Sequence, residues 1–251
     1  MQILNCFSNG NQEFRFADLS AQLDLHKSTL YRLLEAMRSH GLVGLDGTTG
    51  KYHPGLKLFE LGMLAVERLE VGKSAIPALE RLVEQTGETA HLCVLDGYEV
   101  VYVAKVESKQ TLRMPSNVGH RNPAYCTGVG KAILAQMSEE EIQAYLAQTS
   151  LQAFTKKTIV LPAELKRQLK EVQARGYSVD DEEISEGLRC IGAAVRDHNG
   201  QVVAAISIAG PTLRITKNKI SELAVYVKEA ANSISEQLGY RSTRHLKVAA
   251  R

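Results

Sequence analysis

The sequence contains few of the residues that mark disulfide-rich, metal-binding or membrane proteins. Its 251 residues include no tryptophan, six prolines and four cysteines, and aromatic residues make up 6%. Cys6, Cys93, Cys126 and Cys190 form no C-x-x-C pair, so the pattern favours neither a zinc ribbon nor a thioredoxin-type redox site. No signal peptide is visible, and no apolar run reaches the roughly 18–20 residues that a membrane-spanning helix needs. We therefore expect a cytoplasmic protein.

An excess of charge of either sign is also missing. The formal net charge is +2, which does not indicate a nucleic-acid-binding protein. It does not exclude one either, because DNA contact needs only a local basic face. Hydrophobic residues make up 44% and charged residues 23%, enough apolar material for a core. We expect a folded chain with one large domain or two unequal ones.

The sequence also lacks the motifs of common enzyme classes. It contains no G-x-S-x-G, no H-E-x-x-H and no G-x-x-x-x-G-K-[ST]. A nucleophilic cysteine needs a base beside it, and the histidine nearest in sequence to Cys126 is His120. An enzyme that uses one of these cysteines stays open as an alternative, but we expect no enzyme activity, no bound metal and no cofactor.

The first sixty residues have the pattern of a winged helix-turn-helix. Apolar periodicity predicts helices over residues 1–7, 16–23 and 27–40, and a β-hairpin over 42–54. The third helix is predicted to bury Leu30, Leu33, Leu34 and Met37. The exposed face near its start then carries Lys27, Ser28, Thr29, Tyr31 and Arg32.

Such a polar helix start is what a recognition helix presents to the major groove. Basic side chains there reach phosphates or guanine, and hydroxyl side chains contact bases or phosphates at close range. The hairpin would form the wing, with Lys51, Tyr52 and His53 near the DNA backbone. The alternative is a small three-helix bundle whose polar face is merely solvated.

A helical segment is predicted to follow the hairpin. Apolar and small residues recur at helical spacing and predict a self-association surface: Leu58, Leu61, Gly62, Ala65 and Leu69. We assign residues 1–56 to a DNA-binding domain, 57–73 to a helical linker and 74–251 to a second domain.

The second domain has a mixed helix and strand pattern. Strands are predicted over 89–95 and 100–106, joined by the Asp96–Gly97 turn, and over 190–196 and 202–209. Helices are predicted over 127–137, 139–146, 162–175 and 217–238. Tight turns between strands, with helices among them, predict an α+β fold with an antiparallel sheet flanked by helices.

Motifs along nearly the whole chain resemble those of the IclR family of regulators. They are Leu25-His-Lys-Ser-Thr-Leu-Tyr-Arg-Leu-Leu, Ala124-Tyr-Cys-Thr-Gly-Val-Gly-Lys, Asp180-Asp-Glu-Glu with Gly187-Leu-Arg-Cys-Ile, and Ala205-Ile-Ser-Ile-Ala-Gly-Pro. The resemblance implies a winged helix-turn-helix, a GAF-like effector domain, dimers that associate into tetramers, and repression relieved by a carboxylic acid. Residues 112–125 look most like the branch that senses 2-keto-3-deoxygluconate.

The start of the predicted helix at residue 127 is a candidate anion site. The backbone N–H groups of Gly128 and Val129 would point outward there, and a helix dipole favours an anion. Glycine chosen only for tight packing is the alternative.

The resemblance adds further effector-binding residues. It implies Asp180, Cys190 and Ser207 as polar contacts, Met114 and Leu188 as an apolar wall, and the loss of one serine donor at Ala209. Without it, Asp180 would be expected in a solvated loop, and Cys190 and Ser207 as ordinary strand residues. Arg113, His120 and Arg121 suit a longer polyhydroxy acid or are surface charges.

We therefore predict a DNA-binding transcriptional repressor whose affinity for double-stranded operator DNA is controlled by a small organic acid. The first choice of effector is 2-keto-3-deoxygluconate, with glyoxylate, pyruvate or an aromatic acid as alternatives. The protein is expected to form a homodimer or tetramer. An activator and a DNA-binding structural protein without a ligand remain alternative functions.

Overall fold

The computed structural model describes residues 1–7, 13–67, 71–112 and 116–241. The chain divides into two units, Met1–Leu69 and Glu70–Arg251, and the boundary falls within the predicted linker 57–73. The predicted residues Met114, Arg113 and Leu69 lie outside the described residues. Within the described ranges, every helix is too short or too polar to cross a membrane.

The first unit is a helix-turn-helix with a small sheet. Its elements are α1 (Gln2–Cys6), β1 (Phe14–Arg15), α2 (Phe16–Gln22), α3 (Lys27–Ser39), β2 (Val43–Leu45), β3 (Lys51–Pro54) and α4 (Leu56–Glu67). The strands are antiparallel in the order β1-β3-β2, so β1 adds a short third strand to the predicted hairpin. The winged helix-turn-helix predicted for this region is confirmed.

The core of this unit fixes the orientation of α3. Leu19, Leu30 and Leu34 are completely buried, and Val43 and Tyr52 of the hairpin pack in the same cluster. Leu33, which the helical pattern predicts to be buried, is 42% exposed. The buried stripe of α3 is therefore narrower than the sequence suggested, because only one side of this helix meets the core.

Helix α4 leaves large apolar side chains exposed. They are Leu56, Phe59, Leu61, Met63 and Leu64. Contiguous exposed apolar surface is typical of interaction sites. The self-association surface on this helix stays a prediction.

The second unit contains a larger antiparallel sheet with helices. Its elements are α5 (Val71–Thr86), β4 (Thr89–Asp96), β5 (Glu99–Val106), β6 (Arg121–Pro123), α6 (Gly128–Leu134), α7 (Glu139–Gln148), α8 (Pro162–Arg175), β7 (Ser178–Asp181), β8 (Leu188–Arg196), β9 (Val202–Pro211) and α9 (Ile220–Gln237). Short 3-10 turns cover Ala124–Cys126 and Lys217–Lys219. Among the described residues, six strands pair in the order β6-β5-β4-β9-β8-β7.

Helices cover both faces of this sheet. Successive strand residues point to opposite faces. Cys190 and Gly192 meet the start of α6 on one face, and the fully buried Ile191, Ile206 and Ile208 point to the other, where α5 and α9 pack. This arrangement confirms the predicted α+β class with an antiparallel sheet flanked by helices.

Candidate functional site

The start of α3 forms an exposed polar face. Every side chain predicted to contact DNA there is exposed: Lys27, Ser28, Thr29, Tyr31 and Arg32. His26 caps the helix, since its Nδ1 accepts a hydrogen bond from the Ser28 amide at 3.4 Å. Within the described residues, Lys27 and Arg32 form no ion pair, so both cations are available to phosphates.

The hairpin offers less to DNA than the sequence suggested. Tyr52 packs in the core of the first unit and does not lie on the surface. Lys51 is partly exposed, but its Nζ lies 3.3 Å from Oε2 of Glu13, which offsets its charge. The role of Lys51 at the DNA backbone stays a prediction.

The start of α6 rests directly on β8. A Cβ atom at Gly128 would lie 3.2 Å from Cβ of Cys190, and one at Gly192 would lie 2.7 Å from the Gly128 carbonyl. A Cβ at Gly130 would overlap the carbonyl oxygen of Ala124. Close packing therefore explains why glycine stands at these positions, and the anion site at this helix start stays a prediction.

One backbone amide in the first turn of α6 already has a hydrogen-bond acceptor. Thr127 is the N-cap of α6, and its hydroxyl accepts a hydrogen bond from the Gly130 amide at 3.2 Å. The Gly128 and Val129 amides belong to the first turn, which has no intrahelical acceptor. They remain the predicted donors to an effector carboxylate, although the helix has only 7 residues and its dipole is correspondingly small.

Asp180 lies on a strand and not in the solvated loop that its acidic surroundings favour. It is 1% exposed on β7. Its Oδ1 accepts a hydrogen bond from the Glu183 amide at 2.7 Å, and its buried Oδ2 has no partner among the described residues. Burial raises the pKa of Asp180 to about 7, although the Lys131 charge opposes the shift.

Two buried charges that sequence reasoning missed hold the segment after β7 in place. Lys131 is completely buried on α6, pairs with Glu183, and donates a hydrogen bond to the Val179 carbonyl at 2.7 Å. Burial raises the pKa of Glu183. The one available signal was a lysine at an otherwise apolar position in Gly-Val-Gly-Lys-Ala-Ile-Leu.

Strand register places the predicted polar residues on one sheet face. One cross-strand row runs Asp180, Cys190, Ala209 and Thr89, and the next runs Ser178, Gly192, Ser207 and His91. Residues paired across antiparallel strands share a face. The structure thus brings Asp180, Cys190 and Ser207 together, and Leu188 packs beside Cys190 and Ala209.

Ser207 is buried, and within the described part of the chain its hydroxyl forms no hydrogen bond. It is therefore free to bind a ligand oxygen. Burial and the nearby Asp180 charge raise the pKa of the Cys190 thiol well above its usual value. Burial likewise raises the pKa of Cys126 to about 12. Both cysteines are protonated near neutral pH, which makes them poor nucleophiles.

His91 is a further buried polar residue that the sequence pattern did not reveal. It lies on β4 opposite Ser207, is 1% exposed, and its Nε2 is 2.8 Å from Oγ of Ser116. Its ring meets Tyr102 edge-on at 5.1 Å. Burial, aided by the Lys105 charge, lowers the pKa of His91 to about 4, so the imidazole is neutral.

Two residues suggested for a longer ligand are exposed. Arg121 is exposed on β6 and pairs with Asp96 and with Glu99. His120 is also exposed. The surface-charge alternative therefore describes Arg121 better than an effector contact does.

Comparison with known proteins identifies the family. Residues 1–47 match the IclR helix-turn-helix domain, and residues 63–236 match the bacterial transcriptional regulator IclR C-terminal domain. The HTH-type transcriptional regulator KdgR of Dickeya chrysanthemi is 40% identical over 229 residues, which cover 91% of this chain and 75% of that protein. The HTH-type transcriptional repressor AllR of Escherichia coli (strain K12) is 37% identical over 226 residues, covering 90% and 83%.

A solved structure matches as well. The crystal structure of the Thermotoga maritima IclR superposes with a TM-score of 0.79 at 36% identity, covering 95% of this chain and 96% of that one. All these relatives are transcription regulators, which decides against the cysteine enzyme. The chain belongs to the IclR family of bacterial transcriptional regulators, with a helix-turn-helix DNA-binding domain and a C-terminal effector-binding domain.

Proposed function

We propose that this protein is a cytoplasmic repressor that binds operator DNA through α3 and releases it when a small hydroxylated carboxylic acid binds the second unit. The observation that carries the effector site is the buried Asp180 carboxyl, whose Oδ2 is unpaired beside Cys190 and one row from Ser207. A buried polar atom without a partner is costly, and a ligand that pairs with it recovers that cost.

The donor and acceptor set fits a keto or hydroxy acid. Amides of Gly128 and Val129 would donate to the carboxylate, and Ser207 would donate to a further oxygen. With its pKa near 7, Asp180 can accept from a ligand hydroxyl when ionised or donate to a ligand oxygen when protonated. The likeness of residues 112–125 to the branch that senses 2-keto-3-deoxygluconate makes this acid the first choice, with glyoxylate, pyruvate and aromatic acids as competitors.

DNA binding and assembly are proposed together. The polar start of α3 is the part that would enter the major groove, while the exposed apolar side chains of α4 would form a contact between two copies. A two-fold dimer matches the two half-sites of a palindromic operator. Light scattering at micromolar concentration should show a dimer or tetramer, and a monomer with and without DNA would contradict this part.

The effector proposal is tested by calorimetric titration with 2-keto-3-deoxygluconate, glyoxylate, pyruvate and 4-hydroxybenzoate, alongside a DNA-release assay. Ser207→Ala should cost about 0.5–1.5 kcal/mol of affinity, or up to about 3 if its partner is charged. Asp180→Asn should impair binding and DNA release while leaving DNA affinity unchanged, because the DNA-binding residues lie in the other unit.

Ser221→Ala, on the exposed start of α9, is the matched control and should behave like wild type. If the Ser207 and Asp180 variants bind and respond like this control, the effector site is elsewhere. If the acid instead raises the affinity for DNA, the proposal that the acid releases the protein from its operator is wrong.

A further inference from the structure

Another unpaired polar atom on the effector face belongs to His91. Its Nδ1 is buried and has no hydrogen-bond partner among the described residues, as is also true of Oδ2 of Asp180. His91 pairs in register with Ser207, so its side chain lies on the face that carries the proposed effector contacts. An imidazole with one buried nitrogen unpaired is expected to have a partner in the ligand-bound state.

The surroundings of His91 hold its ring in one orientation. Nε2 lies 2.8 Å from the Ser116 hydroxyl, and the Lys105 ammonium donates to the Ser116 carbonyl, which fixes that residue. The His91 ring also forms a T-shaped contact with the Tyr102 ring. Nδ1 is the ring nitrogen that remains available to a ligand, and the contacts of the ring fix its orientation before a ligand binds.

The chemistry of this nitrogen selects the ligand group. If Nε2 donates to Ser116, Nδ1 is an acceptor; if Ser116 donates, Nδ1 carries the proton and is a donor. A hydroxyl can pair with either tautomer, whereas a carboxylate or keto oxygen pairs with only one. The neutral ring also supplies no charge to attract a carboxylate.

Position in the sheet sets the length of the ligand. β4 and β7 are separated by β9 and β8, so the backbones at His91 and Asp180 are about 14 Å apart at the usual strand spacing. Both side chains lie on the same face of the sheet, and Ser207 lies on β9 between their two strands. A two- or three-carbon acid is too short to pair with both ends, whereas an extended six-carbon chain spans more of the gap.

We propose that His91 is a specificity-determining residue that hydrogen-bonds a hydroxyl of the effector far from Asp180, and so selects a polyhydroxy acid longer than pyruvate. This inference rests on the proposed effector site. It assigns to that site a residue that separates sugar-derived acids from glyoxylate and pyruvate.

Two substitutions at His91 separate the contribution of Nε2 from that of Nδ1. His91→Gln places an amide near the position of Nε2, keeps the contact with Ser116 and removes the group at Nδ1. His91→Asn places its amide near Nδ1 and gives up the Ser116 contact. The probes are 2-keto-3-deoxygluconate and 2-ketohexanoate, which has the same number of carbons and no hydroxyls.

Affinities are measured by calorimetry for the full-length protein, with thermal melts to establish folding. His91→Gln should weaken binding of the hydroxylated acid roughly tenfold or more and leave 2-ketohexanoate unchanged. His91→Asn should retain more of the preference for the hydroxylated acid. Ser116→Ala, a milder change, should reduce that preference in the same direction without removing it.

The outcomes separate this inference from the proposed function. If wild type binds the hydroxylated acid and His91→Gln binds both acids as wild type does, or loses both equally, His91 does not read a hydroxyl. If His91→Gln does not fold, an unchanged preference in Ser116→Ala overturns the inference. If wild type binds none of the acids, the effector proposal itself fails and this inference with it.

Discussion

Asp180→Asn should make the folded protein more stable, by an amount that grows with pH. The carboxyl titrates with a pKa of about 7 in the fold, compared with 3.8 for an ordinary aspartate, because it is buried. The folded state therefore holds the proton more tightly than the unfolded state, and stability is lost as pH rises from about 4 to about 7. Asparagine has nearly the same shape and does not titrate.

The expected size follows from these two pKa values. Between pH 5 and pH 8, titration of Asp180 alone should lower the unfolding free energy of the wild type by about 2.5 kcal/mol. The Asn variant should escape this loss, so its advantage over wild type grows by that amount across the range. Lys131 keeps its partner Glu183 in the variant, so no unpaired ammonium is created.

The assay is urea unfolding of both proteins at several pH values, without effector. Asp181→Asn, on the same strand, is the matched control, and its effect on stability should have the opposite sign. Its carboxylate is partly buried, which opposes ionisation, but pairing with Arg189, Lys157 and Lys217 holds the pKa of Asp181 below its usual value. This variant should be less stable than wild type at neutral pH, and the deficit should shrink as pH falls toward that pKa.

A difference between wild type and Asp180→Asn that is the same at every pH would refute the reasoning. It would mean that Asp180 binds the same number of protons in the folded and unfolded states, so that its buried carboxyl is ionised throughout this range.

The remaining predictions concern DNA contact and the packing of α6. Arg32→Ala should weaken operator binding with an unchanged melting temperature and, if Arg32 contacts phosphate, reduce the salt slope by about one unit; mobility-shift affinities equal to wild type at all salt concentrations would contradict this. Gly130→Ala should destabilise the second unit by about 1–3 kcal/mol, because its Cβ would overlap the Ala124 backbone. Gly47→Ala, where nothing lies within 4 Å of the added atom, is the control, and equal melting of the two variants would disprove the packing argument.

Several elements could be predicted from local signals alone. α8 was predicted with its observed bounds, Pro162–Arg175, since proline suits the first helical turn and Gly176 follows with a φ of 78°. The adjacency of β8 and β9 followed from their short connection around Asn199–Gly200. These signals act within a few residues, so the sequence reveals them without the rest of the fold.

Other features depended on neighbours far away in sequence. β7 has the sequence Ser-Val-Asp-Asp, which carries no strand signal, and becomes a strand by pairing with β8. Lys131 interrupts an apolar pattern, and only the fold supplies its partners, Glu183 and the Val179 carbonyl. Leu33 fits the helical stripe but finds no core to pack against.

The sequence by itself determined the family, the two-part architecture and the polar start of α3, because these depend on residue order, periodicity and capping. Only the tertiary structure decided which polar groups are buried without partners. Asp180 and His91 belong to strands separated by two others, and their shared face exists only when the register of all four strands is set. Burial then suppresses their charged forms, an effect of the surrounding protein that no local pattern encodes.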